Sequence, residues 1–111
     1  MDKINIEVCV DDESILLDFF GNKNPSIDQE ISLGNGIALS CHRRKSKFRG
    51  SLEQIILLVL TIPVGISTNI ISSILYEKFK SKKVNSIKID GKEVRNNQKE
   101  IENALTGETK T

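Results

Sequence analysis

Between Leu52 and Leu75 the chain is dominated by Ile, Leu and Val, and Pro63-Val64-Gly65 interrupts this run near its middle. So much apolar surface must be hidden from water, which leaves three outlets: the core of a small fold, a lipid bilayer, or another protein surface. On a helical wheel the run divides at the proline. Gln54 to Ile62 is apolar on almost every face, whereas beyond Pro63 the residues Ile66, Ile70, Ile74 and Leu75 form one stripe. Ser67, Thr68, Ser72, Ser73, Glu77 and Lys78 lie opposite that stripe, and the helix is expected to end near Lys80. The pattern predicts a Pro-interrupted apolar helix in which Ile70→Asp unfolds the protein or breaks its assembly and Ser72→Asp is tolerated.

A spanning helix needs roughly 20 apolar residues, and Gln54 to Leu75 has that length. Its contents argue against spanning. Thr61, Ser67, Thr68, Asn69, Ser72 and Ser73 lie inside the segment, and Pro63 frees a backbone carbonyl that lipid cannot satisfy. Basic clusters flank both ends, so the positive-inside rule gives no orientation. The preferred reading is therefore a helical pair sheltered by protein. Because Gln54 to Ile62 exposes more apolar surface than a thin sheet can cover, Ile55, Leu58, Val59, Ile62 and Ile66 are expected to form an assembly surface. The rival reading is a small membrane-associated protein whose segment 55–75 enters or binds the bilayer at the inner face of the cell membrane.

The flanks supply the rest of the fold. Ile4, Ile6, Val8 and Val10 alternate with Asn5, Glu7 and Cys9, the period of a strand with one buried face. Asp11-Asp12 then caps a short helix with Ile15, Leu16, Phe19 and Phe20 on one side and Gly21 as its stop. Ile27, Ile31 and Leu33 alternate toward Gly34-Asn35-Gly36, and Ile37, Leu39 and Cys41 continue the pattern, which reads as a hairpin. A second hairpin turns at Asp90-Gly91 between Ile87, Ile89 and Val94, and Asn96 or Asn97 caps a last helix carrying Ile101, Ala104 and Leu105. The order describes one α+β domain over residues 1–105. It holds a small sheet of about five strands, made of two hairpins and an N-terminal strand, on the interrupted helix with short N- and C-terminal helices. Residues 106–111 form a short polar tail.

Charge is unevenly distributed although it sums to +1. The first third is acidic. The basic residues gather in Arg43, Arg44, Lys45, Lys47 and Arg49 and again in Lys78, Lys80, Lys82 and Lys83, which together make the candidate patch for an anionic partner. Nucleic acid is a poor fit, since Phe48 alone is no stacking platform and the acidic third repels the same ligand. Anionic headgroups have an equal claim on these residues.

Catalytic and metal chemistry find little support. His42 is the single histidine, and the spacing of Cys9, Cys41, Asp11 and Asp12 around it matches no zinc motif, so neither a metal nor a cofactor is expected. Cys41 and His42 are strand neighbours that point to opposite faces, so they make no nucleophile–base pair, while Cys9 with His42 stays open. On the same alternation Cys41 faces inward and Cys9 outward, which disfavours a disulfide and suits a reducing compartment. The N-terminus lacks a basic start followed by an apolar block, so a cytoplasmic location is expected.

The order of parts resembles the effector-associated constant component family, small proteins encoded beside a variable effector in bacterial conflict and antiphage loci. The likeness lies in the strand Lys3 to Val10, the short helix ending in Phe19-Phe20, the apolar run Ile55 to Leu75 and the basic helix end Tyr76 to Lys83. The hairpin Ile87 to Val94 and the closing helix from Asn97 complete it. The resemblance implies a non-enzymatic accessory or adaptor component of an antiviral defence system that acts through protein contacts, with a neighbouring effector protein as the expected partner beside the self-association expected from the apolar run, and with no site residues carried over.

Overall fold

The computed structural model describes residues 2–11, 14–21, 29–46, 53–80, 84–95 and 97–106. Along the chain run β1 (Asp2–Val10), α1 (Ser14–Phe20), β2 (Glu30–Gly34), β3 (Ile37–Ser46) and β4 (Gln54–Ile62). They are followed by α2 (Thr68–Phe79), β5 (Ser86–Ile89), β6 (Lys92–Val94) and α3 (Gln98–Thr106). Asp12, Ile27, Phe48 and Asn96, each assigned a part by the sequence reading, lie outside the described residues. Thr106 closes α3 rather than opening a tail.

The α+β class is the expected one, but the sheet has six strands, in the order β2-β3-β4-β1-β5-β6, and every neighbouring pair is antiparallel. The added strand is the first half of the apolar run. Gln54–Ile62 is not a helical piece: it is β4, paired with β1 over its whole length from Asp2↔Ile62 to Val10↔Gln54 and with β3 on its other edge. Two causes act together. Ile55, Ile56, Val59, Thr61 and Ile62 are β-branched and stiff at χ1, which suits the pleat. A helix here would also leave the facing edges of β1 and β3 with unpaired backbone groups. Pro63, which has no N–H to donate, stands just past the end of the strand.

The three described helices contribute to one core on one side of the sheet. Ile6 and Val8 of β1, Leu39 and Cys41 of β3, Ile56, Leu58 and Leu60 of β4, and Ile87 and Ile89 of β5 share it with Ile15, Leu16, Phe19, Ile71, Leu75, Phe79 and Ile101 from the helices. Phe19 of α1 meets Phe79 of α2 edge to face, with ring centroids 5.4 Å apart at 68°. Two aromatic residues far apart in the sequence thus meet in space.

Helix α2 is real, but its buried stripe is not the expected one. Ser67 caps it, accepting the Ile70 N–H at 3.4 Å, and Ile71, Ser72, Leu75 and Phe79 are its buried residues. Ile70 is 41% exposed and Ser72 fully buried, the reverse of the expectation for these two, while Leu75 of the expected stripe is buried and Ile66 and Ile74 pack against the core. The phase is set by the largest group. Phe79 at the helix end brings Leu75 and Ile71 inward at intervals of four, and Ser72 turns in beside them with its hydroxyl donating to the Asn69 carbonyl at 3.0 Å.

Both hairpins form where expected. At the second turn Asp90 and Gly91 have φ of 49° and 86°, the two positive angles that a type I′ turn requires. The first turn is more tightly constrained. Gly36 has φ of 78°, and a Cβ there would stand 2.9 Å from Cγ of Pro63, whereas Gly34, with φ of 94°, has open space around it. Gly36→Ala should therefore lower stability by about 2 kcal/mol or more, the backbone strain and the contact acting together, and Gly34→Ala by about 1 kcal/mol, from strain alone. The urea midpoints of the two variants check this order.

The last helix is capped by Asn97, and Glu100 reaches back past the cap. Asn97 Oδ1 accepts the Glu100 N–H at 2.8 Å, while the Glu100 carboxylate accepts the Arg95 N–H at 3.0 Å.

Candidate interaction surface

Because a strand's side chains alternate, the pairing that buries Ile6, Leu58 and Cys41 sends their neighbours to the opposite side of the sheet. There Ile55, Leu57, Val59 and Thr61 of β4 form a central row, each half-buried, between Ile56, Leu58, Leu60 and Ile62, all of them buried. Beside this row, on β3, stand Ala38, Ser40, Arg43 and Lys45; on β1 stand Lys3, Asn5, Glu7 and Cys9. No described helix covers this face. Of its described residues only Cys9 is buried.

A β-bulge shapes the middle of the face. The register of β3 on β4 shifts between Cys41 and Arg43, so His42 is a surplus residue between the Cys41–Leu58 and Arg43–Leu57 pairs. On the other side Glu7 is paired with Leu57 and with Lys88, whose Nζ lies 3.8 Å from its carboxylate. Glu7, His42 and Lys88 rim a shallow cavity of about 370 Å³ whose floor includes Leu57 and Val59. One transverse row therefore reads Lys88, Glu7, Leu57, Arg43.

The anticipated assembly residues are divided by this geometry. Ile55 and Val59 point to the open face. Leu58 and Ile62 are buried in the core and cannot meet a second molecule, and Ile66 lies half-buried against the same core. Expecting a helix puts all five on one surface; the period of two separates them, and it adds Leu57, which the helical reading omits.

The basic patch is divided as well. Arg43, Arg44 and Lys45 belong to strand β3 rather than to a loop, and register places Arg43 and Lys45 on the open face and Arg44 with Ile56 on the helical side. Lys78 belongs to α2 and Lys80 caps its C-terminus, in the other layer, where Lys78 lines a cleft with Leu33 and Ile74. Lys80 is held charged by Glu77, whose carboxylate stands 2.9 Å from its Nζ. Lys47, Arg49, Lys82 and Lys83 lie outside the described residues.

The remaining reactive groups do not converge. Cys41 sits in the core, where burial pushes its thiol pKa up and leaves a poor nucleophile, while His42 is exposed on the open face. Cys9 and His42 stand on strands separated by β4, about 9.5 Å apart by strand spacing, and Cys9 donates instead to the Glu53 carboxylate at 3.4 Å. Neither cysteine is in a disulfide, and the two lie on opposite faces as the alternation predicts. Glu53 Oε2 and Asp11 Oδ1 each also accept from the Asn85 side-chain amide, at 2.8 and 2.9 Å, which ties three strand ends together. Among the described residues no group of three or more His, Cys, Asp or Glu side chains is placed to hold a metal.

The segment long enough to be a bilayer element divides into a central strand, a turn and a twelve-residue helix. No helix among the described residues is long and apolar enough to cross a membrane. The fold defines the chain as an α+β protein with an antiparallel sheet, one face of which no helix covers among the described residues. No family model, curated protein or solved structure matches it.

Proposed function

We propose that this chain is a non-catalytic accessory component that works by protein contact, associating with itself and, through the assembly so formed, with a neighbouring effector protein. The observation that carries this reading is the open sheet face, where Ile55, Leu57 and Val59 run down the centre and are rimmed by charge of both signs. An apolar centre inside a polar rim is the anatomy of a contact surface. A face destined for water alone would carry polar residues at these positions.

The antiviral setting implied by the architectural resemblance belongs to the same proposal. The N-terminal strand, the helix ending in Phe19-Phe20, the Asp90-Gly91 hairpin and the closing helix are all present and favour it. The long helical run is not present as such, and it is the sheet face that supplies the contact surface in its place.

Val59→Glu tests the reading, since the side chain changed is half-exposed and outside the core. Assembly measured by sedimentation velocity at about 50 µM should be lost, with affinity reduced about tenfold or more, the weight expected of one central apolar contact. The melting temperature should move by no more than about 4 °C, the shift that a surface change of about 1 kcal/mol produces in a domain of this size. A wild-type chain that sediments as a monomer throughout this range overturns self-association. Capture of the tagged chain together with the product of the adjacent gene tests the effector contact, and its loss in Val59→Glu is the expected result.

A further inference from the structure

We infer that the occupant of the open face is a second copy of this chain, related by a two-fold axis that runs along β4, so that Arg43 of each copy faces Glu7 of the other. The inference rests on the assembly role proposed above and adds the geometry of the contact.

The argument is one of charge and symmetry. Two sheets packed face to face lie about 10 Å apart with their strands nearly aligned. Two such arrangements are closed by a two-fold axis lying in the interface. With the axis across the strands at Leu57, β3 covers β3, and Arg43 meets its own counterpart. With the axis along β4, β3 covers β1, because these strands flank β4 on either side.

The second arrangement brings opposite charges together. Arg43 and Glu7 are both paired with Leu57, on its two sides, so an axis passing over Leu57 exchanges their positions. One row further, Lys45 and Cys9 are both paired with Ile55, and Cys9 holds the Glu53 carboxylate, which gives Lys45 an acidic neighbourhood opposite. Glu7 already faces Lys88 at 3.8 Å through one oxygen, and a carboxylate has acceptor capacity for a second cation. Along the axis itself Ile55, Leu57 and Val59 meet their own copies, giving a continuous apolar seam.

The size is adequate. Strands β3, β4 and β1, about 4.8 Å apart over the rise from Ile55 to Thr61, with the shorter β5 beside them, outline roughly 350 Å² in projection. Side-chain relief makes the accessible area larger than this projection, on the scale of the smaller specific interfaces.

The test uses the full chain in sedimentation equilibrium: wild type, Arg43→Glu, Glu7→Arg, and an equal mixture of the two variants. Each variant alone places like charges at both symmetry-related contacts, so its dimer should weaken about tenfold or more. In the mixture the introduced glutamate of one variant faces the introduced arginine of the other, while native Glu7 faces native Arg43 at the second contact. A heterodimer should therefore return to within about threefold of the wild-type affinity. Melting curves verify that each variant is folded, and Arg43→Gln with Glu7→Gln replace any that is not; each should then weaken the dimer by about threefold. Variants that dimerise like wild type, or a mixture that stays monomeric, overturn the axis while leaving self-association standing. A wild-type monomer overturns both.

Discussion

Ser72→Asp is expected to leave the protein unfolded at neutral pH, while Ile70→Asp, two positions earlier on the same helix, is expected to reduce stability by no more than about 1 kcal/mol. Ser72 is fully buried, and its hydroxyl is satisfied within its own helix by the Asn69 carbonyl. A carboxylate in that place has no counter-charge among the described buried residues, which are otherwise apolar. Burying such an ion costs several kcal/mol, against a total of about 5–15 kcal/mol for a domain. Ile70 is 41% exposed, so an aspartate there remains in water. Ser72→Ala is the control, because it removes the hydroxyl without adding charge and should change stability by less than about 1 kcal/mol. Urea unfolding of the three variants decides between the observed helix phase and the one drawn through Ile66, Ile70 and Ile74: tolerance of Ser72→Asp together with collapse of Ile70→Asp would restore the latter.

Phe79→Ala should lower stability by about 3–5 kcal/mol, the range for removing a buried Phe ring. Phe79 is 1% exposed at the end of α2 and carries the contact between that helix and α1 through its edge-to-face partner Phe19. The double variant with Phe19→Ala isolates that contact. A coupling of about 1 kcal/mol is expected, so the double change should be milder than the two single losses added together. Strict additivity would mean that the rings only fill volume independently. Helix α1 is seven residues long, too short to persist without packing, so the loss of amide protection in Ser14–Phe20 should exceed that in β1 when the ring is removed.

Much of this fold is legible in the sequence because local chemistry and tertiary context agree. Strict alternation along Lys3 to Val10 and the Asp90-Gly91 dipeptide each have one physical reading, and each is found; of the two asparagines offered as the last cap, Asn97 accepts the Glu100 N–H. The apolar run misleads for a definable reason. A segment apolar at every position carries no period, so Gln54–Ile62 gives the same signal as a buried helix or as a strand with one face in the core and the other on a contact surface. Its β-branched content is the available discriminator. The same ambiguity carries Leu58 and Ile62 into the candidate surface and leaves Leu57 out, since a helical wheel cannot separate residues by odd and even number. The phase of α2 is lost when the stripe stops at Leu75, one turn short of Phe79.

The bulge at His42 is also a parity switch. Counting outward and inward from Cys41 without it, Arg43 and Lys45 would point among the helices and Arg44 into the open; the single surplus residue inverts that order for the remainder of β3. Excising His42 would straighten the strand yet keep both cations outside, because the residue lost is the one in excess. Ironing the strand flat at unchanged length would instead turn two positive side chains into the apolar layer. Which side of the molecule displays this charge therefore hangs on one irregularity in the hydrogen-bond ladder.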